Sequence, residues 1–333
     1  MHKVKIIEDN FNKNLFDSRA VHPLQSWAWG EARKKTGVRV LRFGEFDGTE
    51  LCHSFQMTIH LLPFGLRIGY IPRSANLSKD VVHFLLDFGK KEGLIFVKLE
   101  PYVLKNDPQH RIDKESKVYP SPHPLFPSWT QELDLTKTED DLLKQMKPKT
   151  RYNIRLAQKK GIAIKEMSNK EGFEVFQKLY FATCKRQKYF GHNYHYHKIV
   201  WDSLSNDIAH ILIAYFKDIP LAAYELFYFN GVFYYPYGGT SPLYRNFMAA
   251  NLLMWRTILL GKKLGAKKFD MWGSMPPVYS EKHSWAGFTR FKEGYGTKFV
   301  EMVGSFDLVI SPFLYHLYNA AHTIRELYLS FRK

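Results

Sequence analysis

Two regions of the chain repeat the same order of hydrophobic and polar segments. Each region is predicted to contain three apolar strands joined by tight turns, then an amphipathic helix, then a fourth apolar strand. In the first region these elements occupy residues 38–46, 51–60, 66–71, 78–91 and 94–100. In the second region they occupy residues 209–216, 221–228, 232–237, 244–264 and 268–272. Because whole-order agreement of this kind is typical of an internal repeat, we predict a duplicated domain.

The alternation of strands and helices predicts an α/β (α+β) fold, in which each copy is a mixed twisted sheet flanked by helices. The length of 333 residues also favours two domains. We expect one domain over 1–136 together with a C-terminal helix in 306–333, and another over 137–305. In the second copy, Gly238-Gly239 is predicted to form a turn before a helix whose free N–H groups would favour a phosphate or an acyl donor.

The residues between the two copies combine a loop, a short strand and a basic helical segment. Residues 105–129 are rich in proline, histidine and charge and are predicted to form a loop, and 131–135 to form a strand. Residues 138–161 have a helical pattern that Pro148 divides into two helices. A further amphipathic helix is predicted over 170–188.

Composition narrows the class of protein. A net charge of +16 attracts polyanions such as nucleic acid, an anionic lipid surface or a nucleotide diphosphate, although a generally basic soluble protein would carry it too. Cys52 and Cys184 provide no disulfide framework and favour a reducing, cytoplasmic location. The N-terminus lacks an apolar core of signal-peptide length, and no stretch approaches the roughly 18–20 apolar residues that span a bilayer.

Four motifs follow one another along the chain. They read Q-S-W-A-W at 25–29, Y-I-P-R at 70–73, K-T-R-Y-N-I-R-L-A-Q-K-K-G at 149–161, and a series that runs from Y-G-G at 237–239 to G-F-T-R-F-K-E-G-Y-G at 287–296. Each motif alone is short and unspecific. As an ordered set that covers nearly the whole chain, they resemble the Fem family of peptidoglycan bridge aminoacyltransferases.

The resemblance implies two acetyltransferase-like (GNAT-like) domains in tandem, with the acceptor bound by the first and the aminoacyl donor on the side of the second. The donor would be aminoacyl-tRNA as a co-substrate, with no cofactor and no metal. The acceptor would be the stem-peptide amine of a peptidoglycan precursor, UDP-MurNAc-pentapeptide or lipid II, with peripheral contact at the inner membrane face. Residues 170–210 leave no room for the paired-helix arm of some members, so the chain resembles the armless ones.

Two positions depart from the family pattern. Where P-R-G-P is common after the tyrosine, this chain has Pro72-Arg73-Ser74-Ala75. Where G-E-F-D is common near the end, it has Gly304-Ser305-Phe306-Asp307. The second departure removes one possible carboxylate and leaves Asp307 and Glu301 nearby.

Lys292 is the candidate catalytic residue. Amide formation from an aminoacyl ester needs a neutral amine, stabilisation of the tetrahedral oxyanion, and a proton for the leaving ribose hydroxyl. Lys292 lies in F-K-E-G-Y-G, where a lysine beside glycines can point into a cleft and stabilise the oxyanion or supply the proton. The alternative interpretation is a solvated surface lysine.

Three candidate acceptor-binding residues lie at strand ends, where binding residues cluster in open sheets. Tyr70 and Arg73 flank the proline of Y-I-P-R, and Tyr237 has the equivalent position in the second copy. For each tyrosine, the alternative is a core aromatic ring whose hydroxyl is satisfied locally.

The resemblance adds three further acceptor-binding candidates. It places Arg33 where a basic residue grips the nucleotide diphosphate, with an exposed helix face as the alternative. It also places Arg186 and Tyr196 near the substrate, in or beside a loop that borders the acceptor site. The histidines of this loop, His192, His195 and His197, are not predicted to bind metal because they lack a helical i, i+4 pair and a carboxylate or cysteine partner.

A dense run of cations is the candidate tRNA-binding surface. On a helix, Arg151, Arg155 and Lys159 would share one face and could contact RNA phosphates, whereas a solvated basic helix is the alternative. The complete set of candidates is Lys147, Lys149, Arg151, Arg155 and Lys159, followed by Lys160.

Two other functions remain open at this point. One is a tandem N-acyltransferase that uses an acyl-CoA on a sugar or polysaccharide precursor, and the other is a non-catalytic tRNA- or RNA-binding protein. The segment R-N-F-M-A-A at 245–250 argues against coenzyme A, because it lacks the glycines that let a backbone approach a pyrophosphate.

Overall fold

The computed structural model describes residues 3–108, 117–189 and 191–330, and it divides the chain into two units. The first unit combines both ends of the chain, Met1–Ser128 and Met302–Lys333. The second unit is the continuous segment Trp129–Glu301.

The first unit is a seven-stranded sheet with four α-helices among its described residues. Its strands are β1 (Lys3–Ile7), β2 (Arg39–Asp47), β3 (Glu50–Leu61), β4 (Arg67–Pro72), β5 (Leu94–Glu100), β6 (Val118–Pro120) and β14 (Phe306–Val309). Its helices are α1 (Lys13–Ser18), α2 (Trp27–Lys35), α3 (Lys79–Glu92) and α10 (Pro312–Ser330). The strand order is β1-β2-β3-β4-β5-β14-β6, and β4 and β5 are parallel.

The second unit has a seven-stranded sheet of its own. Its strands are β7 (Trp129–Asp134), β8 (Ile162–Glu166), β9 (Ala209–Phe216), β10 (Ile219–Phe229), β11 (Val232–Thr240), β12 (Lys268–Asp270) and β13 (Lys298–Glu301). Its helices are α4 (Glu139–Gln145), α5 (Pro148–Lys159), α6 (Lys170–Gln187), α7 (Tyr194–Leu204), α8 (Ala249–Lys263) and α9 (Ala286–Glu293). The strand order is β13-β7-β12-β11-β10-β9-β8, and β11 and β12 are parallel.

The two sheets share one topology, which confirms the predicted repeat. In each unit, three antiparallel strands lead through a helix to a fourth strand that lies parallel to the third, β2-β3-β4-α3-β5 in one and β9-β10-β11-α8-β12 in the other. In each unit, two further strands extend the sheet beyond the fourth one. The predicted α/β class, with a mixed sheet flanked by helices, therefore holds for both units.

The predicted domain boundaries at 136/137 and 305/306 were misplaced. Residues 129–134 form β7, which pairs with β12 and β13 of the second sheet and not with any strand of the first. At the other junction, β13 ends at Glu301, and Met302 already donates its N–H to Ser128 of the first unit. Strand pairing thus moves each boundary a few residues toward the N-terminus.

Local sequence signals explain where several elements begin and end. The Ser78 hydroxyl accepts the N–H of Val81 at the start of α3, and Gly93 ends that helix in the left-handed conformation. The Thr138 hydroxyl caps α4 in the same way. Pro148 occupies the first turn of α5, where its missing N–H costs nothing, so it separates two helices as predicted.

The predicted glycine turn at Gly238-Gly239 is wrong, because both residues continue strand β11. They are glycines for reasons of space: a Cβ on Gly239 would lie 2.4 Å from backbone atoms of Leu179 and Tyr180 in α6. The helix after the strand also begins later than predicted, at Ala249.

The predicted loop around 192–197 is also only partly correct. The Asn193 side chain accepts the N–H of Tyr196 and caps α7, so 194–197 are helical. Helix α10 extends the hydrophobic core of the first unit, where Tyr315 packs edge-on against Phe96 of β5 at 5.3 Å. This position agrees with the prediction that the terminal helix belongs to the first domain.

Candidate active site

Lys292 on α9 is a buried lysine and not the solvated surface residue of the alternative interpretation. Its side chain is 5% exposed, and its ammonium donates to the backbone carbonyl oxygens of Met271, at 2.7 Å, and Gly273. The ring of Phe288 lies 4.7 Å from the Nζ atom. Two of the three N–H donors are thereby satisfied by the main chain, which leaves one for a ligand.

A buried carboxylate stabilises the turn whose carbonyl groups accept hydrogen bonds from Lys292. Asp270, the last residue of β12, accepts the N–H of Trp272 at 2.7 Å and the hydroxyl of Thr130. Trp272 has a φ of +74°, a left-handed conformation that is unusual for a bulky residue and that turns its two neighbours' carbonyl groups toward Lys292. Strained conformations of this kind occur at functional sites more often than elsewhere.

Burial controls the charge of Lys292. Removal from water lowers the pKa of Lys292 to about 7, and the nearby negative charge of Asp270 opposes this change. The lysine therefore exchanges its proton close to neutral pH, which suits a group that stabilises an oxyanion or passes a proton to a leaving alkoxide.

Tyr70 and Arg73 lie together with a carboxylate that the sequence did not single out. The Tyr70 hydroxyl donates to Glu100 at 2.7 Å, and the other Glu100 oxygen accepts the N–H groups of Leu125 and Phe126. Burial raises the pKa of Tyr70, and Glu100 adds to the effect. The Tyr70 hydroxyl therefore has a local hydrogen-bond partner, as expected if Tyr70 is a core aromatic residue.

Arg73 is buried at 6% exposure and adopts a φ of +47°. Its N–H donates to the Glu100 carbonyl at 2.6 Å, and its guanidinium carbon lies 4.3 Å from the ring centre of Phe126. Arg33 on α2 is half-buried and close enough to lower the pKa of His60, an effect second to burial of that ring. The structure thus gathers Arg33, Tyr70 and Arg73 in one region of the first unit.

Arg186 bridges two elements of the second unit. Its guanidinium donates to the backbone oxygen of Thr240 at 3.0 Å and to the Thr240 hydroxyl at 2.8 Å, so it ties the end of α6 to the end of β11. It also donates to the Thr183 hydroxyl at 3.3 Å. Arg186 is exposed, so part of the guanidinium faces solvent.

Tyr237 and Tyr196 belong to a group of aromatic rings. The Tyr237 ring lies edge-on to His197 at 5.0 Å and to Tyr180 at 5.8 Å. Tyr196 stacks on His192 at 3.8 Å. Burial raises the pKa of Tyr237, and Tyr196 contributes next to it, which places the two predicted tyrosines in one electrostatic neighbourhood.

A buried carboxylate on β10 is a residue that the sequence-based prediction missed. Glu225 is fully buried, and burial raises its pKa to about 8. Its register partner across the sheet is Tyr237. The signal was present in the sequence, because Glu225 is the single charge in the apolar strand L-A-A-Y-E-L-F-Y-F.

The basic run on α5 divides into structural and exposed cations. Arg151 donates to the backbone oxygens of Leu143, Lys144 and Met146, so it satisfies the C-terminus of α4, and its role in RNA binding stays a prediction. Lys147 pairs with Glu293 at 2.9 Å. The remaining predicted cations are exposed, namely Lys149, Arg155, Lys159 and Lys160.

The carboxylates near the end of the chain divide between the units. Asp307 is buried in the first unit, where it pairs with Lys98 at 2.9 Å and accepts the hydroxyls of Ser121 and Tyr315. Its oxygens are used within the fold, so Asp307 does not replace the missing carboxylate. Glu301 is half-buried at the end of β13.

Over 3–108, 117–189 and 191–330, no helix combines the length and the apolar character needed to cross a bilayer. The same part of the chain contains no group of three or more histidine, cysteine or acidic side chains placed to hold a metal ion.

Comparison with known proteins gives consistent matches over most of the chain. The FemAB family model matches residues 7–217 and 214–323. A lipid II:glycine glycyltransferase of Staphylococcus epidermidis is 22% identical over 377 residues, which cover 88% of this chain and 89% of the relative. The crystal structure of FemX superposes with a TM-score of 0.84 at 19% identity, over 95% of this chain and 99% of that one.

A tandem GNAT protein from the clavulanic acid biosynthesis pathway superposes with a TM-score of 0.52 at 9% identity, over 94% of this chain and 99% of that one. Together with the two mixed sheets, these likenesses confirm the predicted fold, two GNAT-like domains in tandem.

Proposed function

Because the chain belongs to the FemAB family, we propose that it is an aminoacyltransferase that builds the interpeptide bridge of peptidoglycan. The donor in this proposal is aminoacyl-tRNA. The acceptor is the stem-peptide amine of a precursor, UDP-MurNAc-pentapeptide or lipid II. Support for this acceptor class comes from the similarity to a lipid II:glycine glycyltransferase.

In the proposed reaction, the neutral acceptor amine attacks the carbonyl carbon of the aminoacyl ester. A C–N bond forms, the C–O bond to the ribose breaks, and the amine loses one proton while the ribose oxygen gains one. The protonated Lys292 stabilises the oxyanion of the tetrahedral intermediate or delivers that last proton. The observation that carries the proposal is Lys292 itself, a buried lysine with a pKa near 7 and one donor left for a ligand.

Features of α5 and α8 support an RNA donor over coenzyme A. The exposed cations Lys149, Arg155 and Lys159 lie on one helix, where they can neutralise RNA phosphates. Before the N-terminus of α8, the ring of Phe247 packs against Phe216 at 4.9 Å, so a bulky side chain stands where a pyrophosphate would approach.

A lipid-linked acceptor would bring the enzyme to a membrane surface. Exposed apolar side chains on α10 suit such contact, with Phe313 at 77%, Leu317 at 55% and Ile324 at 67% exposure. Vesicles that contain anionic lipid should then sediment the protein more strongly than neutral vesicles do. Equal recovery from both, and without vesicles, would remove the membrane from the proposal.

The decisive test is a transfer assay with charged tRNA pools and UDP-MurNAc-pentapeptide or lipid II as acceptor. Mass spectrometry should show the acceptor gain one amino acid. The variant Lys292→Met should lose turnover. Lys262→Met is the matched control, because Lys262 also donates to two backbone carbonyls, those of Leu135 and Lys137, in the same unit. Transfer from an acyl-CoA, but from none of the charged tRNAs, would overturn the proposal.

A further inference from the structure

Three of the four buried polar side chains that lack hydrogen-bond partners among the described residues of the second unit lie on β10, α6 and α7. They are Glu225 on β10, Gln177 on α6 and His197 on α7, with 0%, 2% and 1% exposure. In each of them, both polar side-chain atoms are buried without a partner. Buried polar groups are almost always paired in native proteins, so this concentration in one region calls for a group from outside the chain.

Aromatic rings connect these side chains. Tyr237 is the register partner of Glu225, so the two side chains lie on the same face of the sheet. The rings of Tyr180, His197 and Tyr237 lie 4.9 to 5.8 Å from one another, all edge-on. Gln177 is one helical turn before Tyr180 on the buried face of α6. We call these five residues the Glu225 cluster.

The outer side of the Glu225 cluster is accessible. Tyr237 is half-buried, as is Tyr196, whose ring lies 5.9 Å from the His197 ring. His192 is exposed. Solvent therefore contacts the cluster on the side of these rings, whereas the Glu225 carboxyl is fully buried.

The chemistry of the cluster selects the ligand. A buried carboxyl disfavours an anion, and aromatic faces favour a cation. A metal ion is a poor fit because no set of three suitable ligands exists among the described residues. A primary ammonium group matches the chemistry of the unpaired atoms, since it has three N–H donors and Glu225, Gln177 and a neutral His197 each offer an acceptor.

We propose that the Glu225 cluster binds the primary ammonium group of a substrate. This inference rests on the proposed function, in which two groups have that chemistry: the α-ammonium of the aminoacyl donor and the side-chain ammonium of the acceptor stem peptide. Burial lowers the pKa of His197 to about 4, so this ring is neutral and can accept a hydrogen bond from the ammonium.

Binding is tested on the full chain by calorimetry with small probes. Glycine methyl ester represents the donor, and Nα-acetyl-lysine amide represents the acceptor. Methyl glycolate and the 6-hydroxy analogue of the lysine probe replace each ammonium by a hydroxyl and should not bind measurably. The wild-type chain should bind one ammonium probe, and the identity of that probe distinguishes the donor from the acceptor.

Glu225→Gln keeps the size of the side chain and removes the ionisable carboxyl, which can lose its proton when an ammonium group binds beside it, so it should weaken binding of that probe at least tenfold. Because it also removes a buried acid, it should not lower the melting temperature, whereas loss of a purely structural contact would. Thr257→Val is the matched control. Thr257 on α8 is the fourth buried polar side chain of the second unit without a partner among the described residues, it lies outside the cluster, and the substitution should leave probe binding unchanged.

The outcomes separate this inference from the proposed function. If neither ammonium probe binds the wild-type chain, or if Glu225→Gln binds as tightly as wild type, the ammonium site does not exist even where transfer occurs. If no charged tRNA supports transfer but Glu225-dependent binding persists, the ammonium site stands and the reaction assignment fails. A third variant, Gln177→Met, should weaken binding by a smaller factor, and an unchanged affinity would remove Gln177 from the site.

Discussion

Replacing Lys292 by methionine tests whether a buried lysine serves catalysis or only holds a turn. The lowering of its pKa from 10.5 to about 7 corresponds to a cost of about 5 kcal/mol for the charged form below pH 7. Methionine removes that cost, but it leaves the carbonyl groups of Met271 and Gly273 unpaired at about 1–3 kcal/mol each. The two effects nearly cancel, so we expect the free energy of unfolding at pH 7 to change by less than about 2 kcal/mol.

Turnover should respond quite differently. An oxyanion that loses one charged donor in a site without water is destabilised by about 3–4 kcal/mol, which corresponds to a decrease in kcat of roughly 10²–10³. Binding of tRNA should stay at the wild-type level because Lys292 is buried, whereas the cations proposed to contact RNA are exposed. The protonated form is the active one, so wild-type kcat should fall as the pH rises through about 7.

Stability supplies an independent check with a definite sign. Between pH 7 and 10.5 the unfolded chain keeps the proton of Lys292 while the folded chain releases it, so wild-type stability rises with pH relative to Lys292→Met. Urea unfolding at several pH values measures this difference, and mass-detected transfer measures turnover. A variant that transfers amino acids at the wild-type rate would refute the catalytic role, and parallel stability curves would refute the lowered pKa.

The remaining predictions concern the RNA surface, a close packing contact and the Glu100 carboxylate. Arg151→Ala should lower stability by about 1–2 kcal/mol in thermal melts, whereas the double variant Arg155→Ala/Lys159→Ala should keep stability and reduce the salt dependence of tRNA binding; the opposite result would exchange their roles. Gly239→Ala should cost about 3 kcal/mol because its Cβ would overlap the backbone of α6, while Gly287→Ala, which meets nothing within 4 Å, should cost nothing. Tyr70→Phe should cost about 1–2 kcal/mol in urea titrations by removing a hydrogen bond to Glu100, and unchanged stability would show that this bond contributes nothing.

Periodicity and local signals were sufficient for most of the fold. The four repeated strands of each unit and the helices α3, α5 and α6 follow from apolar spacing and from local signals such as Ser78, Gly93 and Pro148, which act within a few residues. The repeated order of elements likewise needs no long-range information. These features are predictable because the interactions that produce them are local in sequence.

The errors arose where contacts distant in sequence decide the structure. Gly238-Gly239 resembles a turn until α6 is known to pack on that strand. The assignment of residues 129–134 to a domain depends on which sheet the strand pairs with, and it pairs with β12 and β13 of the second sheet. For Lys292, the motif indicated the residue, but the burial that lowers its pKa is visible only in three dimensions.

Strand β14 has a consequence for biosynthesis. It follows the entire second unit in the chain, yet it lies between β5 and β6, and β6 pairs with no other strand of the sheet among the described residues. During translation, the edge of β5 therefore stays without its β14 partner until the end of the chain is synthesised. By then the continuous segment Trp129–Glu301 has been synthesised in full. The second unit can fold on the ribosome first, and the first unit closes only when the last strand emerges.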